Sequence, residues 1–288
     1  MKINCVILNY NDADTAAVLL KTIGRYQALN RIVIVDNAST DDSLEKLKEL
    51  QKQYDHVDLL CSPKNGGYGA GNNLGVRHAV EVNQADYVVI ANPDVKFDEE
   101  CVKALAATLK KNPKLAAAAA LMEDQTFGVM KNGWKLHGFF GELLAMGPVS
   151  RRVFRRFLTY PESYFQGKKA VYVDAVHGSM LMVDGRKFLE AGGYDEGIFQ
   201  EEAVLAARLK KKGYRTVLRL DQKYRHEHSV SISKSFQGQI DRQKLRNTSV
   251  LYYLKTYLGI SKGKEWIAKL WFWGILLEIR AAGFLGIL

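Results

Sequence analysis

Cysteine is scarce in this chain of 288 residues, and the few present lack the spacing of a metal site. The three cysteines, Cys5, Cys61 and Cys101, are odd in number and form no Cys-x-x-Cys pair. Disulfide frameworks use even, closely spaced sets, and structural zinc sites use paired cysteines. We therefore expect a protein of a reducing compartment without a structural zinc site.

Long apolar runs are also missing. The first run covers only about six residues before it meets Asn9, which predicts no signal peptide and a protein that stays in the cytosol. Near the other end, residues 266–288 contain eight uninterrupted apolar residues, where a membrane span needs about twenty. Their tryptophans and basic neighbours favour an amphipathic helix in the lipid headgroup region, although a helix packed on the domain or on a partner fits the same pattern.

Acidic residues are fewer than basic residues. Lys and Arg number 41 against 31 Asp and Glu, a formal charge of +10, which suits an anionic partner such as a nucleotide sugar, acidic lipid or nucleic acid. The 47% hydrophobic content is enough for a substantial core in one large or two smaller domains.

The first 121 residues alternate between short apolar runs and amphipathic stretches. Strands are predicted at 3–8, 31–35, 57–60, 87–91 and 115–121, and helices at 15–26, 43–54, 71–82 and 99–110. This alternation predicts an α/β fold with a mostly parallel sheet flanked by helices. Ligands of such sheets bind at the carboxyl ends of the strands. The polar residues that follow the strands therefore predict a nucleotide site: Asn9, Tyr10, Asn11, Asp36, Asn37, Asn92 and Asp94.

The second half is less regular. Residues 123–169 are predicted to form an irregular insertion that serves as a lid or acceptor loop, with the sequence RRVFRRF at 151–157. Strands are predicted at 170–173, 179–183 and 214–220, and a helix at 201–212. The predicted domains are a catalytic domain, 1–235, with halves 1–122 and 123–235, and C-terminal helices, 236–288.

Two segments of the first half have a ligand-binding and a purely structural interpretation. Asp36 ends a buried strand and could accept hydrogen bonds from a base or ribose, but the polar residues after it could equally cap the next helix. The segment NGGYGAGNN brings backbone amides and polar side chains near a ligand, and it matches neither a P-loop nor a dinucleotide fingerprint. Its candidate residues are Asn65, Gly66, Gly67, Asn72 and Asn73.

Carboxylates and histidines supply the remaining candidates. Asp94, in NPD after the fourth strand, suits a divalent cation, although an isolated Asn-Pro-Asp is more typical of a turn. Glu201 and Glu202 begin a predicted helix, where acidic residues are favoured by the helix dipole whatever their function. One of them could also accept a proton from an acceptor hydroxyl group. His226 and His228 follow a strand and are candidate metal or phosphate ligands.

Taken in order, these motifs resemble family 2 glycosyltransferases, in particular the bacterial rhamnosyltransferase-like branch. The matching segments are ILNYN, VDNASTDDS, NGGYGAGNN, NPD, GGYDE with the acidic pair after it, and a downstream histidine. The resemblance implies a GT-A fold: a single Rossmann-like, mostly parallel sheet flanked by helices, with a C-terminal helical extension. It also implies an inverting, metal-dependent transfer from a nucleotide-diphosphate sugar.

The same resemblance implies residue roles. Asp94 would hold Mg²⁺ or Mn²⁺ against the diphosphate, with His226 or His228, and Glu202 would be the base. Because family members carry Glu-Asp where this chain has Glu201 and Glu202, the base is open between these two. The implied donor-binding residues are Asn9, Asn11, Asp36, Asn65, Gly66, Gly67, Asn72, Asn73, Asn92 and Arg208.

The sequence thus predicts a sugar transferase that acts on a lipid-linked or cell-surface glycan at the inner face of the plasma membrane, with the C-terminal helices on the membrane surface. The donor predicted first is dTDP-rhamnose, and the alternative donor is a UDP-hexose. Nucleic acid is not a predicted partner. The oligomeric state is open, and a homodimer is one of the possibilities.

Two alternative functions are considered. One is a nucleotidyltransferase, which the sequence NYNDADT after the first strand disfavours. The other is a non-catalytic basic adaptor for membrane or nucleic acid.

Overall fold

A computed structural model of the chain describes residues 1–124, 128–196, 201–227 and 239–284. The contacts between residues divide the chain into two compact units. The larger unit contains Met1–Gly133 and Phe165–Ser229, and the smaller unit contains Trp134–Tyr164 and Val230–Leu288. The predicted insertion therefore divides: residues 134–164 group with the C-terminal helices, whereas the sequence placed them in the catalytic domain.

In the described part of the chain, ten strands form one sheet in the order β3-β2-β1-β4-β11-β6-β12-β5, with β7 beside β6 and β9 beside β12. A separate short pair joins β8 and β10. The strands are β1 (Ile3–Asn9), β2 (Arg31–Asp36), β3 (Val57–Cys61), β4 (Tyr87–Ala91), β5 (Val95–Phe97), β6 (Leu115–Asp124), β7 (Gly128–Met130), β8 (Gly133–Trp134), β9 (Ala170–Val173), β10 (Ala175–Val176), β11 (Met180–Asp184) and β12 (Arg215–His226).

The first four strands are parallel, and their register sets the position of the site. Asn9 pairs with Asp36 across β1 and β2, and Ile7 pairs with Ala91 across β1 and β4. The carboxyl ends of β1, β2 and β4 therefore meet at one edge. β6 and β12 are also parallel, while β11 lies antiparallel between β4 and β6. The predicted α/β class with a mostly parallel sheet is confirmed.

The helices of the described residues are α1 (Ala13–Ile23), α2 (Ser43–Gln51), α3 (Gly67–Glu81), α4 (Glu99–Lys111), α5 (Phe139–Met146), α6 (Pro148–Val153), α7 (Arg155–Leu158), α8 (Gly185–Glu190), α9 (Glu201–Lys211), α10 (Gln239–Thr256) and α11 (Lys262–Phe284). In the larger unit, Leu20 of α1 and Leu105 of α4 are fully buried in the core formed with the strands. Apolar side chains at helical spacing thus explain why these amphipathic segments fold onto the sheet.

Helix α3 begins at Gly67, four residues before the predicted start at 71. Its glycines allow the helix to approach the sheet closely: a Cβ atom on Gly71 would lie 2.2 Å from Leu8 of β1, and one on Gly75 would lie 2.5 Å from Val6. Glycine has a low helix propensity, so the sequence did not predict the first turn of this helix. Packing against β1 outweighs that propensity, and much of the predicted glycine loop is helix.

Strand β12 extends to His226, six residues beyond the end predicted at 220. Its last three residues pair with β5, and His226 lies opposite Val95. The same residue lies opposite Asp124 of β6. The extension contains several charged residues, and its neighbour β5 was not predicted from the sequence, so the strand was predicted to end too early. His226 is therefore within a strand and 4% exposed, rather than after a strand as predicted.

The smaller unit is helical where the sequence predicted irregular structure. Phe139, Leu143 and Met146 of α5 lie at helical spacing and pack with buried residues of α10 and α11 in a separate apolar cluster. The indole Nε1 of Trp271 on α11 donates to the carbonyl of Leu143 at 2.7 Å. Over the described residues, helix length and apolar content nowhere combine to give a membrane-spanning segment.

Candidate active site

The ends of β1 and β2 form a hydrogen-bonded corner around Asp36. The Asp36 carboxylate is 2% exposed and accepts hydrogen bonds from Asn9 Nδ2 at 3.1 Å and from the Ser39 hydroxyl at 2.5 Å. Asn11 holds the same turn because its Oδ1 accepts the Thr40 backbone N–H at 2.7 Å. The sequence predicted that these candidates lie together, and the structure brings Asn9, Asn11 and Asp36 into one corner.

The backbone at this corner is strained. Asn11 and Ala38 have φ angles of 54° and 59°, in the left-handed region that side chains with a Cβ disfavour. Strain of this kind is retained where the surroundings impose it, and it concentrates at ligand sites. The hydrogen bonds around Asp36 supply that constraint.

Asn37, predicted with Asp36 as a polar residue at the end of the second strand, joins this corner to the start of α3. Its Nδ2 donates to Asn65 Oδ1 at 3.0 Å and to the Gly67 carbonyl at 3.2 Å, while its Oδ1 accepts the Gly66 N–H at 3.3 Å. The candidates Asn65, Gly66 and Gly67 thus lie beside the Asp36 corner. Asn72 is buried within α3 and donates to the Tyr68 carbonyl at 3.0 Å.

Asp94 and His226 form a pair at the same edge of the sheet. His226 Nε2 lies 3.3 Å from Asp94 Oδ1, and the backbone N–H of Glu227 donates to the Asp94 carbonyl at 2.8 Å. The Asp94 side chain is 11% exposed. It lines a cavity of about 400 Å³ between α1 and the turn from Pro93 to Lys96, so its carboxylate borders a space that admits a ligand.

These two side chains fit a divalent cation. Two ligands in neighbouring positions of an octahedral ion with bonds of about 2.1 Å lie about 3 Å apart, close to the separation of the Asp94 and His226 atoms. In the described ranges no group of three or more His, Cys, Asp or Glu side chains converges. Cations that bridge phosphates often use one or two protein ligands, because substrate oxygens and water complete the shell. His228 lies outside the described residues.

The acidic pair lies at the first turn of α9. Glu202 Oε1 accepts the backbone N–H of Gly178 at 3.2 Å, which fixes this carboxylate against the loop between β10 and β11. Burial, together with the negative charge of Glu202, raises the pKa of Glu201 to about 7. A carboxyl group with a pKa near neutrality can exchange protons under working conditions.

A continuous series of contacts connects Asp94 with Glu202. The His226 ring that pairs with Asp94 lies 5.9 Å from the His177 ring, centroid to centroid. His177 precedes Gly178, whose N–H binds Glu202. The candidate cation ligand and the candidate base thus belong to one cluster of side chains.

The segment His177-Gly178-Ser179 at the centre of this cluster was missed from the sequence. Tyr68 of α3 donates its hydroxyl to the Gly178 carbonyl at 2.6 Å, and burial raises the Tyr68 pKa well above its ordinary value. The backbone N–H of Asn92 donates to the Ser179 carbonyl at 2.8 Å, so that candidate also adjoins the segment. The available signal was His177 and Gly178 directly before the predicted strand at 179–183, which begins at Ser179.

Asn73 and Arg208, both predicted to bind the donor, hold the GGYDE turn. Arg208 donates to the carbonyls of Gly192 at 2.6 Å and Gly193 at 2.9 Å. Asn73 donates to the Tyr194 carbonyl at 3.0 Å and accepts the Tyr194 N–H at 2.9 Å. These contacts give both residues a role in positioning the turn before α9, and a direct contact with the donor stays a prediction.

The fold defines the class of protein: the chain has the GT-A fold. It is similar to a solved structure described as the mannosyltransferase PcManGT from Pyrobaculum calidifontis in complex with GDP-Man and Mn²⁺. That comparison gives a TM-score of 0.61 at 15% identity and covers 98% of this chain and 75% of the other.

Sequence comparison gives the family. The model of glycosyl transferase family 2 matches residues 5–177, and the chain belongs to this family. It is 27% identical over 198 residues to an N-acetylglucosaminyl-diphospho-decaprenol L-rhamnosyltransferase of Mycobacterium tuberculosis, covering 65% of this chain and 62% of that protein. It is 26% identical over 108 residues to the dTDP-rhamnosyl transferase RfbF of Shigella flexneri, 35% of each chain. The match to the mycobacterial relative thus spans less than two thirds of its length.

Proposed function

We propose that this chain is an inverting glycosyltransferase that moves a sugar from a nucleotide-diphosphate donor to a lipid-linked or cell-surface glycan. The observation that carries the proposal is the series of contacts that joins Asp94 to Glu202 through His226, His177 and Gly178. Sugar transfer needs a charge-neutralising group beside the leaving diphosphate and a carboxylate beside the incoming hydroxyl. In this proposal the Asp94–His226 pair has the first role and Glu202 has the second.

Rhamnose from dTDP-rhamnose is the first donor that we propose, and a UDP-hexose is the second. Two relatives named as rhamnosyltransferases support the first choice. The mycobacterial relative, whose name specifies a diphospho-decaprenol lipid, supports the proposed acceptor class. We extend that class, a lipid-linked saccharide, to this chain.

On the donor side, Asp94 and His226 would hold Mg²⁺ or Mn²⁺. The solved mannosyltransferase structure contains Mn²⁺, which supports a divalent cation in a protein of this fold. When bound, the ion neutralises the diphosphate as it departs. The corner around Asp36 would receive the nucleoside, and the backbone of Gly66 and Gly67 would border the phosphates.

On the acceptor side, Glu202 is our proposed base. The hydrogen bond from the Gly178 N–H holds its Oε1 in place. In a single displacement, the acceptor oxygen bonds to the anomeric carbon as the bond to the diphosphate breaks, and the hydroxyl proton passes to the carboxylate. Inversion at the anomeric carbon follows from this one step. Glu201 is the alternative base, because its pKa of about 7 also suits proton transfer.

For location, we propose the inner face of the plasma membrane, with the C-terminal helices in contact with the lipid surface. Trp266, Trp271 and Trp273 of α11 support this because tryptophan side chains favour the membrane interface. A lipid-linked acceptor would be present at the same surface.

Calorimetric titration with dTDP, UDP and GDP, with and without Mn²⁺, tests the proposal. We expect wild-type chain to bind dTDP best and to lose at least about tenfold in affinity without Mn²⁺, since a cation held by Asp94 would neutralise the diphosphate. Asp94→Asn should bind dTDP weakly and independently of Mn²⁺. Asp55→Asn, which removes the same charge from an exposed position of the same unit, should match the wild type.

Two results would contradict this account. Wild-type affinity for dTDP that does not change with Mn²⁺ would remove the proposed cation site. Absence of binding to every nucleoside diphosphate would favour the non-catalytic adaptor.

A further inference from the structure

Nearly all of the net charge of the chain belongs to the smaller unit. Its 90 residues contain 14 Lys and Arg against 5 Asp and Glu, a net charge of +9. The larger unit has 27 against 26, a net charge of +1 over 198 residues. The unit that holds the candidate active site is thus close to neutral, and a partner attracted by positive charge would meet the smaller unit.

Helix α11 of the smaller unit has two apolar stripes at helical spacing. One stripe is buried against α5 and α10 and contains Ala268, Phe272, Ile275 and Ile279. The other faces solvent, with Trp266 and Trp273 65% and 62% exposed. Packing inside the unit explains only the first stripe. The second, which we call the tryptophan stripe, contains Trp266, Leu270, Trp273 and Leu277, about 17 Å from end to end at 1.5 Å per residue.

The helices α6 and α7 place basic and apolar side chains together in solvent. All four arginines of this segment, Arg151, Arg152, Arg155 and Arg156, are exposed. Val153 and Phe157 lie among them and are exposed as well, Phe157 by 78%. Arginines next to exposed apolar side chains are complementary to a partner that has both anionic groups and an apolar region.

The arginine segment adjoins α11. The backbone N–H of Val149, at the start of α6, donates to Glu278 Oε1 of α11 at 2.9 Å. Glu278 follows Leu277, the last residue of the tryptophan stripe, and Val149 is itself exposed. Apolar exposure therefore continues from α11 onto α6 within one packed unit.

We propose that the smaller unit docks in the plane of an anionic lipid bilayer, through the tryptophan stripe together with the arginines of α6 and α7. The stripe would lie at the boundary between headgroups and acyl chains, and the arginines would bind lipid phosphates. A nucleic acid would pair with the arginines but leave the Leu270 and Leu277 side chains in water. This proposal deepens the membrane location proposed above, naming the lipid class and a second contact element, and it is independent of sugar transfer.

Flotation of the full chain with vesicles tests the docking surface. Vesicles of phosphatidylcholine alone are compared with vesicles that also contain phosphatidylglycerol, at low and high salt. We expect strong binding only to the anionic vesicles and weaker binding at high salt, because the attraction of basic residues to the surface is screened.

Three variants separate the contributions. Neutralising the arginine segment to glutamine should weaken binding to anionic vesicles by more than about tenfold, because each basic residue near the surface contributes about fivefold. Trp266→Ser with Trp273→Ser should weaken binding at both salt concentrations, because an apolar contact is not screened. A matched control removes four positive charges from exposed positions of the larger unit and should bind as the wild type does: Lys48→Gln, Lys110→Gln, Lys111→Gln and Lys114→Gln.

Calorimetric dTDP binding is measured on the same variants and distinguishes this proposal from the proposed function. Unchanged dTDP binding with lost vesicle binding supports docking by the smaller unit. Equal binding of the wild type to neutral and anionic vesicles would overturn the proposal, as would wild-type vesicle binding by the arginine variant. Binding of duplex DNA or RNA without binding of vesicles would also overturn it, whatever the result with dTDP.

Discussion

At the residue scale, the two adjacent glutamates at the start of α9 differ in their surroundings. Glu202 accepts a backbone hydrogen bond from Gly178, whereas burial and the charge of Glu202 raise the pKa of Glu201 to about 7. The fold thus favours the neutral form of Glu201. A neutral Glu201 reduces the repulsion between the two carboxyl groups. This supports Glu202 as the base and Glu201 as the member of the pair that takes up a proton.

This difference predicts how stability changes with pH. An ordinary glutamate ionises near 4.5, so a pKa of about 7 means that the fold favours the neutral form. The stabilising contribution of Glu201 is complete below about pH 4.5 and is lost as the pH rises through 7. Glu201→Gln cannot ionise, so between pH 5 and pH 8 it should lose less stability than the wild type, by about 1–2 kcal/mol after allowance for partial exposure.

Thermal or urea unfolding of both proteins at the two pH values measures this difference. Glu81→Gln, on the exposed side of α3, is the control and should follow the wild type. Parallel pH dependence of wild type and Glu201→Gln would contradict the proposed burial of this carboxyl group.

Some features of single residues were open to prediction, and others were not. The strand-end positions of Asn9, Asp36 and Asp94 follow from apolar runs and their polar ends, which local sequence displays. Tyr68 and Gly178 were not found because their partners lie 110 and 24 residues away along the chain. Only the fold brings such partners together.

At the element scale, the turn before α9 is held from two sides. Arg208 of α9 binds the carbonyls of Gly192 and Gly193, and Asn73 of α3 binds the backbone of Tyr194. Gly192 and Gly193 have φ angles of 88° and 59°, a conformation in which glycine avoids the strain of a Cβ atom. The turn therefore links the orientation of α9, and with it Glu202, to α3.

Arg208→Lys tests whether this arginine positions the turn or binds the donor. Lysine lacks the fork that reaches two carbonyls, so α9 should lose its fixed orientation and kcat should fall by about tenfold. As a positioning residue, Arg208 should leave dTDP affinity unchanged when replaced. An increase of the dTDP dissociation constant with unchanged kcat would instead identify a donor-binding residue. Arg186→Lys, exposed on α8, is the matched control and should change neither quantity.

Element boundaries were predicted least well where tertiary packing overrides local preference. The start of α3 was placed too late because four glycines obscured its first turns, although Gly71 and Gly75 are what allow the helix to contact β1. The end of β12 was placed too early because its pairing with β5 depends on a strand about 130 residues away. Both corrections bring candidate residues onto regular elements.

At the scale of the whole molecule, charge and candidate chemistry lie in different units. The total charge of +10 is readable from composition, but its concentration in the smaller unit is not. That concentration depends on the grouping of residues 134–164 with the C-terminal helices, across a gap in sequence of 65 residues. Local sequence does not show contacts over such separations, although the helical spacing of Phe139, Leu143 and Met146 was a signal for α5 that the prediction of an irregular insertion did not use.

The central claim is that Asp94 and Glu202 serve one reaction, and the kinetics of Glu202→Gln test it most directly. Release of dTDP from dTDP-rhamnose is measured with a lipid-diphosphate saccharide as the acceptor, in the presence of Mn²⁺. We expect kcat to fall at least about 100-fold, as is typical for loss of a general base, while dTDP affinity stays within about twofold of wild type. Wild-type kcat in Glu202→Gln would contradict the account.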